Sequence, residues 1–219
     1  MKKIFSLVLV ILLTLPSSGC TETAMKNAKL PPTRIGSASI QASFGEKYTF
    51  ETAMTEADVV ARIKVGNWIA EDTELHETYY EATVQHCFKG NIPNTFTLLQ
   101  DGCSNGTLKG YPLFTYGNEL LVFLKEATGI EYESPYWIIG SFTTLFDVTY
   151  DNSGARYYAD RYGIFGGTVQ DAVNYALLDE LFSEVYAITV QADPIVDDMK
   201  YPYPYIFSEE DMTTLLNNQ

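Results

Sequence analysis

The chain has 219 residues and carries 28 acidic against 14 basic side chains, a formal net charge of −14. That balance excludes nucleic acid as a partner, because phosphate binding needs clustered Lys and Arg, and it opposes electrostatic docking on anionic lipid. The 16 Tyr and 12 Phe, interleaved with β-branched residues, point to strands, while 2 His are too few for a His-rich metal site.

The amino-terminal stretch sets a first expectation. Met1-Lys2-Lys3, an apolar run of 12 residues from Ile4 to Leu15 and the small residues Ser17-Ser18-Gly19 form the pattern of a secretory signal over residues 1–19. The run is shorter than the roughly 20 residues of a spanning helix. Cys20 directly after Gly19 resembles a bacterial lipobox, which implies that Cys20 becomes the first mature residue and carries the lipid. Ser17 stands where such boxes place a large aliphatic residue, so Ser17 and Gly19 also suit ordinary signal peptidase; either route exports the chain. Cysteine parity favours lipidation. The chain has Cys20, Cys87 and Cys103; acylating Cys20 leaves an even pair in an oxidising compartment. Cys87 and Cys103 are therefore expected to form a disulfide between the end of the second strand and the loop after the third. Loss of Lys2 and Lys3 with the leader leaves 12 basic and 28 acidic side chains, net −16.

Residues 20–47 read as the lipidated terminus and a tether; Thr21 to about Ala42 shows neither helical nor strand periodicity. Residues 48–160 read as a β-barrel domain. Its first strand is Asp58 to Ile69, with Val59, Ala61, Ile63 and Val65 on an apolar face. The second, about Glu77 to Phe88, places Tyr80, Ala82, Val84, His86 and Phe88 on one side and Tyr79, Glu81, Thr83, Gln85 and Cys87 on the other. Lys89-Gly90-Asn91 signals a turn. Thr95 to Gln100 is a third strand, followed by a Gly-rich loop from Asp101-Gly102 to Pro112. Asn118 to Leu124 is buried on both faces, and Tyr136 to Tyr150 reads as one long strand. Asp151-Asn152-Ser153-Gly154 turns the chain into Arg156-Tyr157-Tyr158. Residues 161–219 read as a helical extension packed on the barrel: a helix over 168–187, with Val173, Leu177, Leu181 and Val185 at four-residue spacing, an extended Pro-rich segment from Val196 to Pro204, and a short last helix capped by Ser208 with Asp211. The expected class is mainly β, a small OB-like antiparallel barrel with a C-terminal helical extension (α+β).

Three segments carry a resemblance. Ala57-Asp58-Val59-Val60-Ala61-Arg62-Ile63-Lys64-Val65, then Tyr80-x-Ala82-x-Val84-x-x-Cys87-Phe88-Lys89-Gly90, then Gly117-Asn118-Glu119-Leu120-Leu121-Val122-Phe123-Leu124 together resemble the netrin-type module, an OB-like barrel also found in tissue inhibitors of metalloproteinases. The stretch also resembles domains of bacterial surface lipoproteins. It covers about residues 55–150 and is mainly a strand pattern. The resemblance implies a binding or inhibitory barrel. Those inhibitors engage a metal through a disulfide-bonded terminal cysteine, whereas Cys20 lies about 37 residues before the first strand, so no inhibitory residue carries over.

Catalytic patterns are incomplete. His76-Glu77-Thr78-Tyr79-Tyr80 has the first half of a zincin motif and lacks its second His. His76 reads as a loop-end residue and His86 as a hydrogen-bonded core histidine. There is no Gly-x-Ser-x-Gly elbow, and Gly163-Ile164-Phe165-Gly166-Gly167 lacks a phosphate-loop ending. Asp193, Asp197 and Asp198, and separately Asp151-Asn152-Ser153, lack the spacing of a calcium loop and read as solvated acids. No catalytic residue, metal or cofactor is assigned. Tyr157, Tyr158, Tyr162, Tyr201, Tyr203 and Tyr205 offer flat rings with hydroxyls that suit a sugar or peptide; the competing reading is an extended strap sealing barrel to helix. The expected role is an exported, lipid-anchored binding protein of the cell envelope, joined to the membrane through Cys20 and taking a protein or glycan. The alternatives are an envelope-polymer hydrolase, marked by two buried carboxylates facing each other across a cleft, and a structural or adhesion subunit pairing through a strand edge.

Overall fold

The computed structural model describes residues 39–40, 48–108, 111–151, 153–160 and 205–218. In chain order the elements are β1 (Ser39–Ile40), α1 (Phe50–Glu56), β2 (Val59–Asp72), β3 (Glu77–Lys89), β4 (Thr95–Asp101), β5 (Thr107–Leu108), β6 (Glu119–Glu126), β7 (Pro135–Ile138), a 3₁₀ turn (Ser141–Thr144), β8 (Leu145–Tyr150), β9 (Arg156–Asp160), β10 (Tyr205–Ser208) and α2 (Glu209–Asn217). The expected tether and the 168–187 helix lie outside the described residues, apart from Ser39–Ile40, which pairs in parallel with β5.

Five strands close a barrel. β2 runs antiparallel to both β3 and β6, β3 is antiparallel to β4, β4 is parallel to β7, and β7 returns antiparallel to β6. Counting those five in chain order, the ring goes first, second, third, fifth, fourth and back to the first. This is the closure of an OB-like Greek-key barrel. The expected fold class is therefore observed, with extra strands: β8, β9 and β10 extend the sheet from the outer edge of β6. The expected single strand from Tyr136 to Tyr150 is instead two. Both lie along one edge of β6, with Ile138 opposite Leu124 and Leu145 opposite Val122. Between them Gly140 at φ +63° and Ser141 at φ +56° turn the chain out. That excursion frees β7 to reach β4 and close the barrel, while β8 stays in the sheet.

Alternation along β2 and β6 feeds two cores. Val59, Ala61, Ile63, Val65, Leu120, Val122 and Leu124 fill the barrel with Tyr80, Phe96, Leu98 and Ile138. Val60, Leu121 and Phe123 face outward into a second cluster with Phe50, Phe146, Tyr158, Phe207 and Met212. Phe50 packs edge-on against Phe123, ring centroids 5.5 Å apart.

α1 was not anticipated from the sequence. Its seven residues are too few to show a period. Thr49 starts it with a capping box: Thr52 N donates to Thr49 Oγ1 (3.1 Å), and Thr49 N to Thr52 Oγ1 (2.8 Å). Phe50, Ala53 and Met54 bury one face. The other end is held by Lys89, whose Nζ donates to the carbonyls of Met54 (2.5 Å), Thr55 (3.1 Å) and Ala57 (2.7 Å). A cation on orphan C-terminal carbonyls is the favourable arrangement. α2 begins as expected, with Asp211 N donating to Ser208 Oγ (3.1 Å).

His86 departs from expectation. Ile63 pairs with Val84 and Arg62 with His86, so β3 carries an extra residue there. A bulge of this kind reverses face parity beyond it. His86 is exposed and packs its ring at 4.5 Å from Phe88, outside the barrel.

The expected Cys87–Cys103 disulfide does not form; both thiols are free. The register explains why. Glu77 pairs with Asp101, so Cys103 lies just past the open end of the β3–β4 hairpin, while Cys87 lies beside its turn. Ten residues of strand separate Glu77 from Cys87, roughly 30 Å, whereas a bridge needs α-carbons within about 7 Å. Buried Cys103 donates instead to Asn105 Oδ1 (2.7 Å), and exposed Cys87 donates to the Lys89 carbonyl (3.2 Å).

Candidate ligand-binding face

The outer surface of β3, β4 and β7 gathers the features of a binding face. Register aligns Ala70, Tyr79, Leu99, Trp137 and Lys125 in one row across β2, β3, β4, β7 and β6. Tyr79 and Leu99 are buried, and Trp137 is 36 % exposed. The loop after β6, residues 127–134, is pinned over this row. Thr97 Oγ1 donates to the Glu133 carbonyl (2.9 Å), and Thr97 N to the Ser134 carbonyl (3.1 Å). Ala127 N closes the loop on the Pro135 carbonyl (2.8 Å). Tyr132 is thereby laid against Tyr79, ring centroids 4.5 Å apart at 38°.

The β2–β3 turn borders the same face. Asp72 Oδ1 accepts from Glu74 N (2.8 Å) and Leu75 N (2.9 Å). His76 adopts φ +58°, and Leu75 projects with 67 % of its surface exposed. Gly102 N donates to the His76 carbonyl (2.5 Å), tying the turn to the end of β4. Glu71 accepts from Ser104 N (2.8 Å) and Ser104 Oγ (2.5 Å), which secures the next loop. These bonds fix the rim before any ligand arrives.

The electrostatics are one-sided. Tyr79 Oη donates to Glu77 Oε2 (2.6 Å). Burial pushes the Tyr79 hydroxyl well above the usual tyrosine range, and the hydrogen bond to Glu77 and the charges of Glu77 and Asp72 push it further. It stays a neutral donor. Glu77, Glu81 and Asp101 share the outer face with the row, Glu131 and Glu133 are exposed on the loop that carries Tyr132, and among the described residues none of them is in an ion pair. Lys125 beside Trp137 is engaged by Glu56 (3.2 Å).

Of the tyrosines singled out from sequence, Tyr157 and Tyr158 are the two whose side chains are described, and they do not share a face. Tyr158 is 1 % exposed in the second core, and its Oη donates to Glu209 Oε2 (2.9 Å). Half-buried Tyr157, the next residue along the strand, points the other way and reaches Asp151 Oδ2 (3.3 Å). Tyr205 is in β10, opposite Asp160 of β9. Tyr162, Tyr201, Tyr203 and the lipid-anchor candidate Cys20 lie outside the described residues. The Tyr79–Tyr132–Trp137 grouping was missed because strands and a loop far apart in sequence build it; the one local cue was the outward parity of Tyr79 with Glu81.

Two further expectations can be placed. The Asp151 carboxylate serves its own turn, accepting from Ser153 N (2.8 Å), Ser153 Oγ (2.7 Å) and Ala155 N (2.9 Å). The Ser153 hydroxyl and these backbone bonds hold it below the usual carboxylate range. Among the described residues, Asp160 is the one carboxylate buried below a tenth of its surface. It has no buried acid facing it across a cleft there, and no group of three His, Cys, Asp or Glu is arranged to hold a metal.

No protein-family model matches this sequence, and comparison with curated proteins gives no significant match.

Proposed function

We propose that the chain is an exported, lipid-anchored binding protein of the bacterial cell envelope, built on a netrin-type barrel. It binds a protein or glycan on the outer face of β3, β4 and β7. The observation that carries the binding reading is the row of Tyr79, Leu99 and Trp137, covered at one side by Tyr132 and edged by the β2–β3 turn. OB barrels use this pair of strands and these two loops to hold ligands, and exposed aromatics are the residues that most often anchor an interface. The export part rests on the leader pattern of residues 1–19 and the small residues before Cys20. With no disulfide between Cys87 and Cys103, cysteine parity adds nothing to it.

Each half has its own test. Two acyl chains anchor stably, since each buried methylene contributes about 0.8 kcal/mol. Wild-type protein should therefore sediment with membranes and Cys20→Ser should not; retention of that variant removes the anchor. For binding, the purified mature chain is cross-linked to native envelope fractions beside Trp137→Ala. Envelope partners should be captured by the first and depleted with the second. Equal capture by both removes the assigned face.

A further inference from the structure

The charge and pairing of the β3–β4–β7 face narrow the class of ligand. Every strand along the row already has a paired neighbour at each edge: Tyr79 lies between Ala70 and Leu99, Leu99 between Tyr79 and Trp137, Trp137 between Leu99 and Lys125. No strand can be added there, so an occupant must engage through side chains. What the face offers is a half-open indole, a half-buried tyrosine ring on the loop, and carboxylates that meet no cation among the described residues. Glu81 stands exposed directly opposite Thr97 and two residues along β3 from Tyr79, and it lies over Gly66 of β2, where a side chain would come within 3.3 Å of its Oε1. Glu131 and Glu133 flank Tyr132 on the exposed loop. The one basic residue in the row, Lys125, is taken by Glu56.

Resting on the binding reading above, we propose that this face takes an extended polypeptide segment bearing Lys or Arg side chains. Their cationic heads meet the carboxylates of Glu81, Glu131 and Glu133, and their stems or guanidinium planes lie on Trp137 and Tyr132. Cations are drawn to such ring faces, most strongly to Trp, and Arg and Lys stems cover apolar surface while the head stays solvated. Anionic ligands are repelled by the same carboxylates. A neutral glycan would stack on Trp137 but leave those charges unmatched, so complementarity favours the basic segment.

The test uses the full mature chain and three probes: a fluorescein-labelled decapeptide of alternating Lys and Gly, its Glu and Gly counterpart, and an N-acetylglucosamine tetrasaccharide. Binding is read by anisotropy for the peptides and by tryptophan fluorescence for the sugar. The Lys peptide should bind and the Glu peptide should not. Raising NaCl from about 50 to 200 mM should weaken the Lys peptide several-fold, because these exposed charges are screened. Trp137→Ala should weaken it roughly 5- to 30-fold, with Trp137→Phe intermediate. Combined Glu81→Gln, Glu131→Gln and Glu133→Gln should weaken it at least as much and flatten the salt dependence. These positions are exposed, and circular dichroism checks that each variant is folded. Tetrasaccharide binding through Trp137 without peptide binding overturns the basic-segment class and leaves the face standing. Peptide binding indifferent to both sets of substitutions overturns the face. If no probe binds while envelope cross-linking still depends on Trp137, the class fails alone; if that dependence is absent too, the binding reading fails with it.

Discussion

Lys89→Met is the sharpest probe of how α1 is held. The substitution keeps most of the apolar stem and removes the ammonium that donates to the carbonyls of Met54, Thr55 and Ala57. A hydrogen bond to a charged group contributes about 1.5–3 kcal/mol when buried. Lys89 is half-buried, and water can replace it at the more exposed carbonyls, so the three bonds together are discounted to about 2–3 kcal/mol. For a domain of this size that corresponds to a fall in Tm of about 5–10 °C. Urea unfolding of wild type and variant supplies the free-energy difference. Hydrogen exchange supplies the location: the Ala57 amide, bonded to the Ala53 carbonyl at 3.0 Å, should exchange faster, while amides in β4 follow only the global change. A loss below about 0.5 kcal/mol would refute the reasoning, because it would mean that solvent caps the helix as well as Lys89 does.

Alkaline pH should destabilise the fold through its buried tyrosines. Burial, and then the hydrogen bond to Glu209, push Tyr158 up to about 12. The unfolded chain ionises at pH near 10, so stability is complete below that, is lost as pH rises from 10 towards 12, and falls by on the order of 2 kcal/mol from this group. Tyr158→Phe should flatten that slope in denaturant titrations at stepped pH, and an unchanged slope would count against the assignment. Gly90 adopts φ +80°, and a Cβ there would stand 2.1 Å from the Asp58 carbonyl oxygen; Gly90→Ala should cost about 3 kcal/mol or more in urea melts. In non-reduced native protein, maleimide should label Cys87 promptly and Cys103 only after unfolding, and protection of both would reinstate the disulfide.

The barrel strands were legible because their period is two and their apolar residues are β-branched or aromatic. Val59 to Val65 and Leu120 to Leu124 announce themselves in this way. The capping role of Ser208 was legible too, since its partner Asp211 is three residues away. What could not be read depended on distant partners. The break at Gly140 is dictated by the need of β7 to reach β4, some 40 residues earlier. The bulge that turns His86 outward depends on how Arg62 and Ile63 meet β3. The cysteine pairing rests on an even number in an oxidising compartment, and strand register overrules it. Tyr157 and Tyr158 were grouped because they are neighbours in sequence, yet neighbours on a strand look in opposite directions.

β2 and β6 form a wall with an occupied room on each side. Along β6, Leu120, Val122 and Leu124 face the barrel and Leu121 and Phe123 face the outer core. A slip of one residue would exchange the two sets, pressing the Phe123 ring into the barrel and withdrawing it from Phe50. Most sheets guard their frame with one packed face and let the other tolerate drift. Here both faces guard it, so single-residue insertions or deletions within Val59–Val65 or Leu120–Leu124 should be the least tolerated length changes in the molecule.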